Sequence, residues 1–211
     1  MIWPVVPLSK VADIERDGIS PEAIGDGTLY LGLEHIESGG RIIEVKKVEN
    51  GDLASTKFKF GPKHILYGKL RPYLAKIATP DFAGVCSTDI LPILPGPQID
   101  RSYLKHFLRQ PSQVEIAKSR SAGANLPRLS PGELAKFEVP LPPLAEQERI
   151  STILDAADAL RAKRRAVLAK LDTLAQSLFI EMFGDATTVE KRSLASVCDL
   201  ITDGTHYTPT Y

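Results

Sequence analysis

Between Leu144 and Phe183 the chain runs without a glycine or a proline, and an apolar position recurs at alternating steps of three and four. The seam is Ile150, Ile153, Ala157, Leu160, Arg164, Val167, Leu171, Leu174 and Leu178, broken once, at Arg164. That is a heptad pattern, and Ala, Leu, Lys, Arg and Gln fill the positions around it, all good helix formers. Pro142 and Pro143 set the entry, Glu146 and Glu148 suit the positive end of the helix dipole, and Gly184 is placed to stop the helix. At ~1.5 Å per residue such a helix is roughly 60 Å long. A small domain cannot cover that length, so the seam requires a second helix. Residues 143–184 are read as a spacer and dimerisation helix.

A short internal repeat brackets this helix. Leu8-Ser-Lys-Val-Ala-Asp-Ile-Glu-Arg-Asp-Gly18 aligns without gaps on Leu194-Ala-Ser-Val-Cys-Asp-Leu-Ile-Thr-Asp-Gly204, with five of eleven positions identical. Ile14 faces Leu200, and a proline follows each copy, Pro21 and Pro209. The second copy restarts the beginning of the chain directly after the helix. The expected organisation is a domain over residues 1–142, the helix over 143–184, and the opening of a second such domain over 185–211.

The 211 residues allow one core-forming domain plus the arm. Cys86 and Cys198 lie far apart and suit a reducing compartment better than a disulfide framework. The start, Met-Ile-Trp-Pro-Val-Val-Pro, lacks the pattern of a signal peptide, and no apolar run approaches the ~20 residues of a membrane helix. A cytoplasmic protein is expected.

Net charge is zero, with 26 basic and 26 acidic residues, but the charge is segregated. Residues 11–53 hold ten acidic residues against four basic. Residues 57–80 hold six basic residues and no acidic one; residues 101–128 hold six more against Glu115 alone. A solvated face would carry such a run too. Here, however, Lys57, Lys59, Lys63, Lys69 and Arg71 alternate with aromatics that include Tyr73, and with Gly-Pro turns. Arg120, Asn125 and Arg128 sit in a loop of small residues. Cations for phosphates on loops able to reach base edges make a DNA-reading surface.

The expected fold is α+β. Residues 30–36, 41–48, 64–67, 73–78 and 85–94 read as strands from their β-branched and aromatic content, with Gly39-Gly40 as a hairpin turn. Residues 99–109 read as a helix, with Tyr103, Leu104, Phe107 and Leu108 inward, and a second helix starts near Pro111 and turns Val114 and Ile116 inward. Residues 119–130 read as a loop, and residues 136–141 alternate as a last strand before the double proline.

Catalysis finds little footing. Asp26, Glu44 and Lys46 fit the loose acid…acid-x-Lys spacing of Mg²⁺-dependent nucleases, a pattern that solvated hairpin charges also produce. A glycine-rich cofactor loop and a methyltransferase-type Asn/Asp-Pro-Pro-aromatic motif are both lacking. His35, His64, His106, His206 and the cysteines show no metal-ligand spacing, and His64 reads as a phosphate contact or plain surface. The non-enzymatic alternative is a dimeric coiled-coil scaffold with no DNA role.

The segment Leu126-Pro-Arg-Leu-Ser-Pro-Gly-Glu-Leu, then Val139-Pro-Leu-Pro-Pro-Leu-Ala-Glu-Gln-Glu-Arg-Ile150 and Leu178-Phe-Ile-Glu-Met-Phe-Gly184, resembles the specificity (S) subunit of type I restriction–modification systems. Tyr30-Leu-Gly-Leu-Glu-His-Ile36, the Gly-Lys-Leu-Arg-Pro-Tyr run ending at Tyr73 and Asp203-Gly-Thr-His-Tyr-Thr-Pro209 are similar to that family's target recognition domains. The resemblance implies a subunit without catalysis or cofactor of its own. It implies two recognition domains that each read half of a split double-stranded DNA site, and two antiparallel helices that bind methyltransferase (M) subunits. S-adenosylmethionine belongs to those partners, and ATP and Mg²⁺ to the partner complex with its restriction (R) subunits.

One recognition domain and one helix make half of that pattern, as a natural half-length form, a truncation or a designed fragment. Two copies about a two-fold axis restore the whole, each helix supplying the other's partner as an antiparallel homodimer. The pair would cross near Arg164 and bring Asp158 close to Lys170; Arg164 reads equally as a residue exposed where the seam turns to solvent. The DNA-contacting residues expected are Lys57, Lys59, Lys63, Lys69, Arg71, Tyr73, Arg120, Asn125 and Arg128, with Arg128 or Asn125 on a base edge.

Overall fold

A computed structural model describes residues 3–184 and 192–199 and divides into two units, residues 1–157 and 158–211. The first unit is built on two sheets. Four strands form one of them: β2 (Ala12–Ile14), β7 (Ile65–Gly68), β8 (Ile77–Ala78) and β10 (Ile90–Pro95), in the order β2-β10-β7-β8, all antiparallel. The other is mixed and has five strands: β3 (Gly18–Ile19), β4 (Thr28–Leu31), β5 (Lys46–Val48), β6 (Lys57–Phe60) and β9 (Gly84–Cys86), in the order β3-β6-β9-β4-β5. Within it β4 and β9 run parallel. A ribbon of β1 (Val5–Pro7) against β11 (Glu138–Pro140) ties the two ends of the domain together.

The run Ile90-Leu-Pro-Ile explains why the first sheet lies in the middle. Successive side chains of a strand point to opposite faces, so a continuous apolar run needs both faces covered. Ile90 and Leu66 join Leu31, Ile36, Phe60 and Cys86 in a core toward the second sheet. Leu91, Ile93, Ile65 and Tyr67 face a larger core completed by α1 (Arg101–Leu108), α2 (Pro111–Ser119) and α3 (Pro131–Ala135). Leu104, Leu108, Ala117, Leu134 and Phe137 are almost wholly withdrawn from solvent there.

The expected strands exist in shortened form, with four departures. The strand at 73–78 is reduced to Ile77–Ala78, because Pro72–Leu74 form a 3-10 turn. The strand at 30–36 ends at Leu31, because the His35 ring takes the Gly32 N–H at 3.0 Å and the chain turns into a 3-10 helix over Leu33–His35. The Gly39-Gly40 turn is present, both at φ +84°, but closes only the single bridge Ile36↔Ile42, while the ladder itself pairs Thr28 with Val48. Residues 85–94 divide between the two sheets, since Ile90 N–H donates to Ser87 C=O at 2.9 Å in a turn that carries the chain from β9 to β10.

The helix α4 spans Leu144–Phe183, with Gly184 at φ +79° closing it. Its first turns are bound to the domain by a polar stripe on one face. Gln147 is fully buried: its amide oxygen accepts from Asp100 N–H at 2.8 Å, and its NH₂ donates to the carbonyls of Gln98 (3.1 Å) and Pro142 (2.8 Å). Ser151 is buried one turn on. One turn further, Asp155 accepts from Lys105, Ser102 and His106 of α1. Burial pushes the Asp155 carboxyl up, but those hydrogen bonds outweigh it and hold it at about 2. Ile150, the first seam position, packs on the domain's own core.

From Leu160 the apolar positions of α4 stand in solvent: Leu160, Val167, Leu171, Leu174 and Leu178 are between 47% and 68% exposed, and Arg164 is exposed as well. Residues 192–199 carry a 3-10 turn at Leu194–Ser196 flanked by Ser193 (φ −70°, ψ 145°) and Val197 (φ −125°, ψ −6°). The turn at Leu8–Lys10 has flanks at Pro7 (φ −64°, ψ 145°) and Val11 (φ −126°, ψ −10°), so the described part of the repeat takes one conformation twice. The remainder of the second copy lies outside the described residues. Among the described residues no helix is long and apolar enough to cross a membrane.

Two outcomes follow for the junction between α1 and α4. Gln147→Ala strands a buried N–H and two carbonyls and is expected to cost about 2–3 kcal/mol, read as a lower urea midpoint at unchanged slope. For Asp155, a carboxyl lowered from 3.8 to about 2 stabilises fully above its unfolded value and loses that contribution as pH falls through the folded one. The stability gap between the wild type and Asp155→Asn should therefore close between pH 4 and pH 2, the range those two values bracket.

Candidate nucleic-acid interface

Two basic segments far apart in sequence are laced together by the backbone. Leu129 N–H donates to Lys69 C=O at 2.9 Å, and Arg71 N–H to Pro127 C=O at 2.8 Å. Arg128 forms isolated bridges to Leu70 on one side and Ala122 on the other. Gly123, at φ +105°, makes the turn between 122 and 128; a Cβ there would stand 3.0 Å from Leu126 C=O. The sequence predicts a loop at 119–130, and a loop it is, but one pinned at Ala122, Arg128 and the buried Leu129.

The partner loop, between β7 and β8, is equally constrained. Arg71 (φ 50°, ψ 59°) and Ala75 (φ 47°, ψ 42°) both adopt the left-handed conformation on either side of a 3-10 turn at Pro72–Leu74. Pro72 is buried beneath, so Arg71 and Tyr73 are held outward. The Lys69 N–H donates to Asp89 C=O at 2.9 Å, which anchors the loop to the turn before β10.

Lys69, Arg71, Tyr73, Asn125 and Arg128 thus belong to one laced pair of loops. Arg120 is exposed at the end of α2, its guanidinium 5.7 Å from the centre of the Phe137 ring. Arg128 forks onto Asp89, Nε to Oδ1 at 3.0 Å and Nη2 to Oδ2 at 3.4 Å, which raises its affinity for its proton further. Asp89 lies outside both basic segments and was not legible as part of this site.

The first basic segment is distributed differently. Lys63 is exposed in the turn between β6 and β7, and Lys59 is paired with Asp17 at 3.2 Å across the second sheet's edge. Lys57 departs from expectation. It is only 6% exposed, its ammonium donates to Ser55 C=O and Oγ at 2.6 and 2.8 Å, and burial pulls it below the usual lysine range. It stands inside the fold, out of reach of a phosphate. His64 departs likewise. Its Nδ1 accepts from Gly61 N–H at 2.9 Å and its Nε2 meets Glu15 at 2.7 Å, so the ring is a structural bridge and not surface.

The acid…acid-x-Lys spacing assembles no nuclease centre. Asp26 accepts from Asn50 N–H at 2.7 Å in the turn after β5, Lys46 pairs with Asp52, and Glu44 is exposed on the hairpin. Among the described residues no group of three or more His, Cys, Asp or Glu could hold a metal ion. Cys86 is buried, its thiol pushed up to about 12, and both cysteines are free.

The model of the type I restriction modification DNA specificity domain matches residues 3–170. The chain belongs to this family. Its curated relatives include the specificity subunit of the type I restriction enzyme EcoDI from Escherichia coli, 29% identical over 90% of this chain and 44% of that protein. Another is the StySPI specificity subunit from Salmonella potsdam, 26% identical over 90% of this chain and 45% of that protein. Among solved structures, the HsdS subunit from Thermoanaerobacter tengcongensis superposes with a TM-score of 0.67 at 25% identity, over 90% of this chain and 51% of that one. The chain spans about half the length of the relatives it matches. Its sheet-rich domain followed by a long helix is the fold of that structure, and its matches are specificity subunits, the non-catalytic components of such enzymes.

The strain in the laced loops is measurable. A left-handed alanine costs ~1 kcal/mol or more relative to an unstrained one, so Ala75→Gly is expected to raise stability by about 0.5–1 kcal/mol. A lowered denaturation midpoint would show that Ala75 does not hold this conformation in solution.

Proposed function

We propose that this chain reads DNA as the specificity component of a type I restriction–modification complex, one half-site per recognition domain. The observation that carries this reading is the backbone lacing of the loop that holds Lys69, Arg71 and Tyr73 to the loop that holds Asn125 and Arg128, in a member of a DNA specificity family. The chain contributes recognition and geometry. M subunits dock on its helix and supply S-adenosylmethionine, and R subunits complete the complex that uses ATP and Mg²⁺.

The exposed seam from Leu160 to Leu178 supports an antiparallel homodimer. A row of half-exposed Leu160, Val167, Leu171, Leu174 and Leu178, interrupted only at Arg164, is an apolar surface of the kind that marks a partner site. In such a dimer the two recognition domains are identical, so the preferred DNA is a palindrome in two halves with an unread spacer.

Light scattering at micromolar concentration is expected to give a dimer for the wild type and a monomer when Leu160 and Leu171 are both replaced by glutamate; a wild-type monomer overturns the assembly. Selection of DNA from a random pool, with and without the M subunit, should return a divided palindrome, and an asymmetric or undivided site refutes the two-fold arrangement. Replacing Lys63 or Lys69 with glutamine should weaken binding to all sequences and lower the salt slope by about one each. Lys57→Gln should leave the slope unchanged, because that ammonium is already held on Ser55.

A further inference from the structure

We propose that Arg128 reads the edge of a guanine and that Asp89 is the residue that positions it. The inference rests on the DNA reading proposed above and names the base and the device at that surface.

Three observations carry it. The backbone of Arg128 is fixed from both sides: its N–H donates to Ala122 C=O at 2.8 Å, Ala122 N–H returns a bond to its C=O at 3.1 Å, and Leu70 bridges it opposite. Its side chain is fixed as well, because Asp89 takes the Nε and Nη2 edge of the guanidinium side-on. Asp89 is itself anchored, its N–H meeting Ser87 Oγ at 3.3 Å and its C=O accepting from Lys69, in the turn leading into the buried β10. The Arg128 side chain is still 45% exposed, against 27% for that of Asp89.

The chemistry of what remains decides the ligand. With the Nε edge occupied, the end-on pair of N–H groups on Nη1 and Nη2 is left, two parallel donors in one plane. Guanine presents two acceptors, O6 and N7, at matching spacing in the major groove. A phosphate fits less well. The Arg128–Asp89 pair carries no net charge, so it neutralises little of the backbone, and the carboxylate repels a phosphate brought close. What the pair retains is direction, and direction is what base reading uses. Lys63, by contrast, is an exposed flexible charge suited to phosphate.

The test is quantitative binding of the full chain to a library in which every position of the selected half-site is varied. The wild type is expected to require guanine at one position, repeated by symmetry if the chain is dimeric. Arg128→Lys keeps the charge and loses the fork, so it should reduce guanine preference there by roughly 5- to 150-fold while preferences elsewhere and the salt slope stay as they are. Asp89→Asn should relax the same position, and Asp89→Glu should only partly restore it. In the free protein, hydrogen exchange of the Arg128 Nε–H should be slow in the wild type and fast in Asp89→Asn. A loss spread evenly over all positions, an unchanged guanine preference in Arg128→Lys, or effects of the two residues at different positions overturns the proposal and leaves the DNA reading intact. A wild type with no sequence preference at all overturns the DNA reading, and this inference with it.

Discussion

The amide of Gln147 is the constraint on which the junction between reading domain and helix depends. It is wholly buried, and each of its bonds goes to a different piece of backbone: the loop before α1, the first N–H of that helix's cap, and the proline pair that opens α4. A buried amide tolerates no half-measures, since a donor or acceptor left unpaired costs as much as several good bonds contribute. Satisfying all three requires α1, the 96–100 turn and the start of α4 to be in place together. Ser151 and Asp155 extend the same stripe along the helix, and Asp155 draws in three side chains of α1. Residues 147–155 of the helix are therefore fixed on the domain.

The laced loops are rigid for a different reason. Exposed loops are ordinarily the least rigid part of a fold. Here the rigidity comes from backbone bonds between the loops and from residues driven under them, Pro72 and Leu129. Its cost is visible in the left-handed Arg71 and Ala75, neither of them glycine. Strain of that order persists only where the surroundings over-determine the conformation, and the bond from Arg71 N–H to Pro127 is part of that determination.

How much of this was legible follows from where each signal resides. The bounds of α4 were readable because Pro143 and Gly184 act locally and the heptad period is long enough to count. The helix at Arg101–Leu108 was readable from its own apolar face, and the strand Glu138–Pro140 from the longer alternation of residues 136–141 around it. The turn at Leu8–Lys10 and its copy at Leu194–Ser196 also show local control: one sequence pattern gives one conformation although Leu8 is buried and Leu194 is 69% exposed. The strands β1, β2, β3 and β6 were not legible, since two to four residues are too few to display a period and pairing alone makes them strands. The stripe Gln147, Ser151, Asp155 was also missed. Polar residues on a helix read as solvent-facing, and only the carbonyls and cations waiting on α1 and its flanking loop reverse that.

The segregation of charge needs the same correction. The acidic stretch 11–53 does not merely lie opposite the basic one; it is spent partly on it, through Glu15 with His64 and Asp17 with Lys59. The Lys59 pair is about half exposed on both sides, and such pairs are held by little more than thermal energy. The Lys59 ammonium is thus held only loosely by Asp17. Lys57 is held firmly, because its ammonium would have to leave two hydrogen bonds and a buried position. The cations of one run along the sequence thus divide by burial, and burial rather than their number decides how much charge the domain presents. The laced pair of loops follows the same rule from the other side: Asp89 sits among the cations, removes one charge from the sum, and in exchange fixes the direction of the guanidinium it holds.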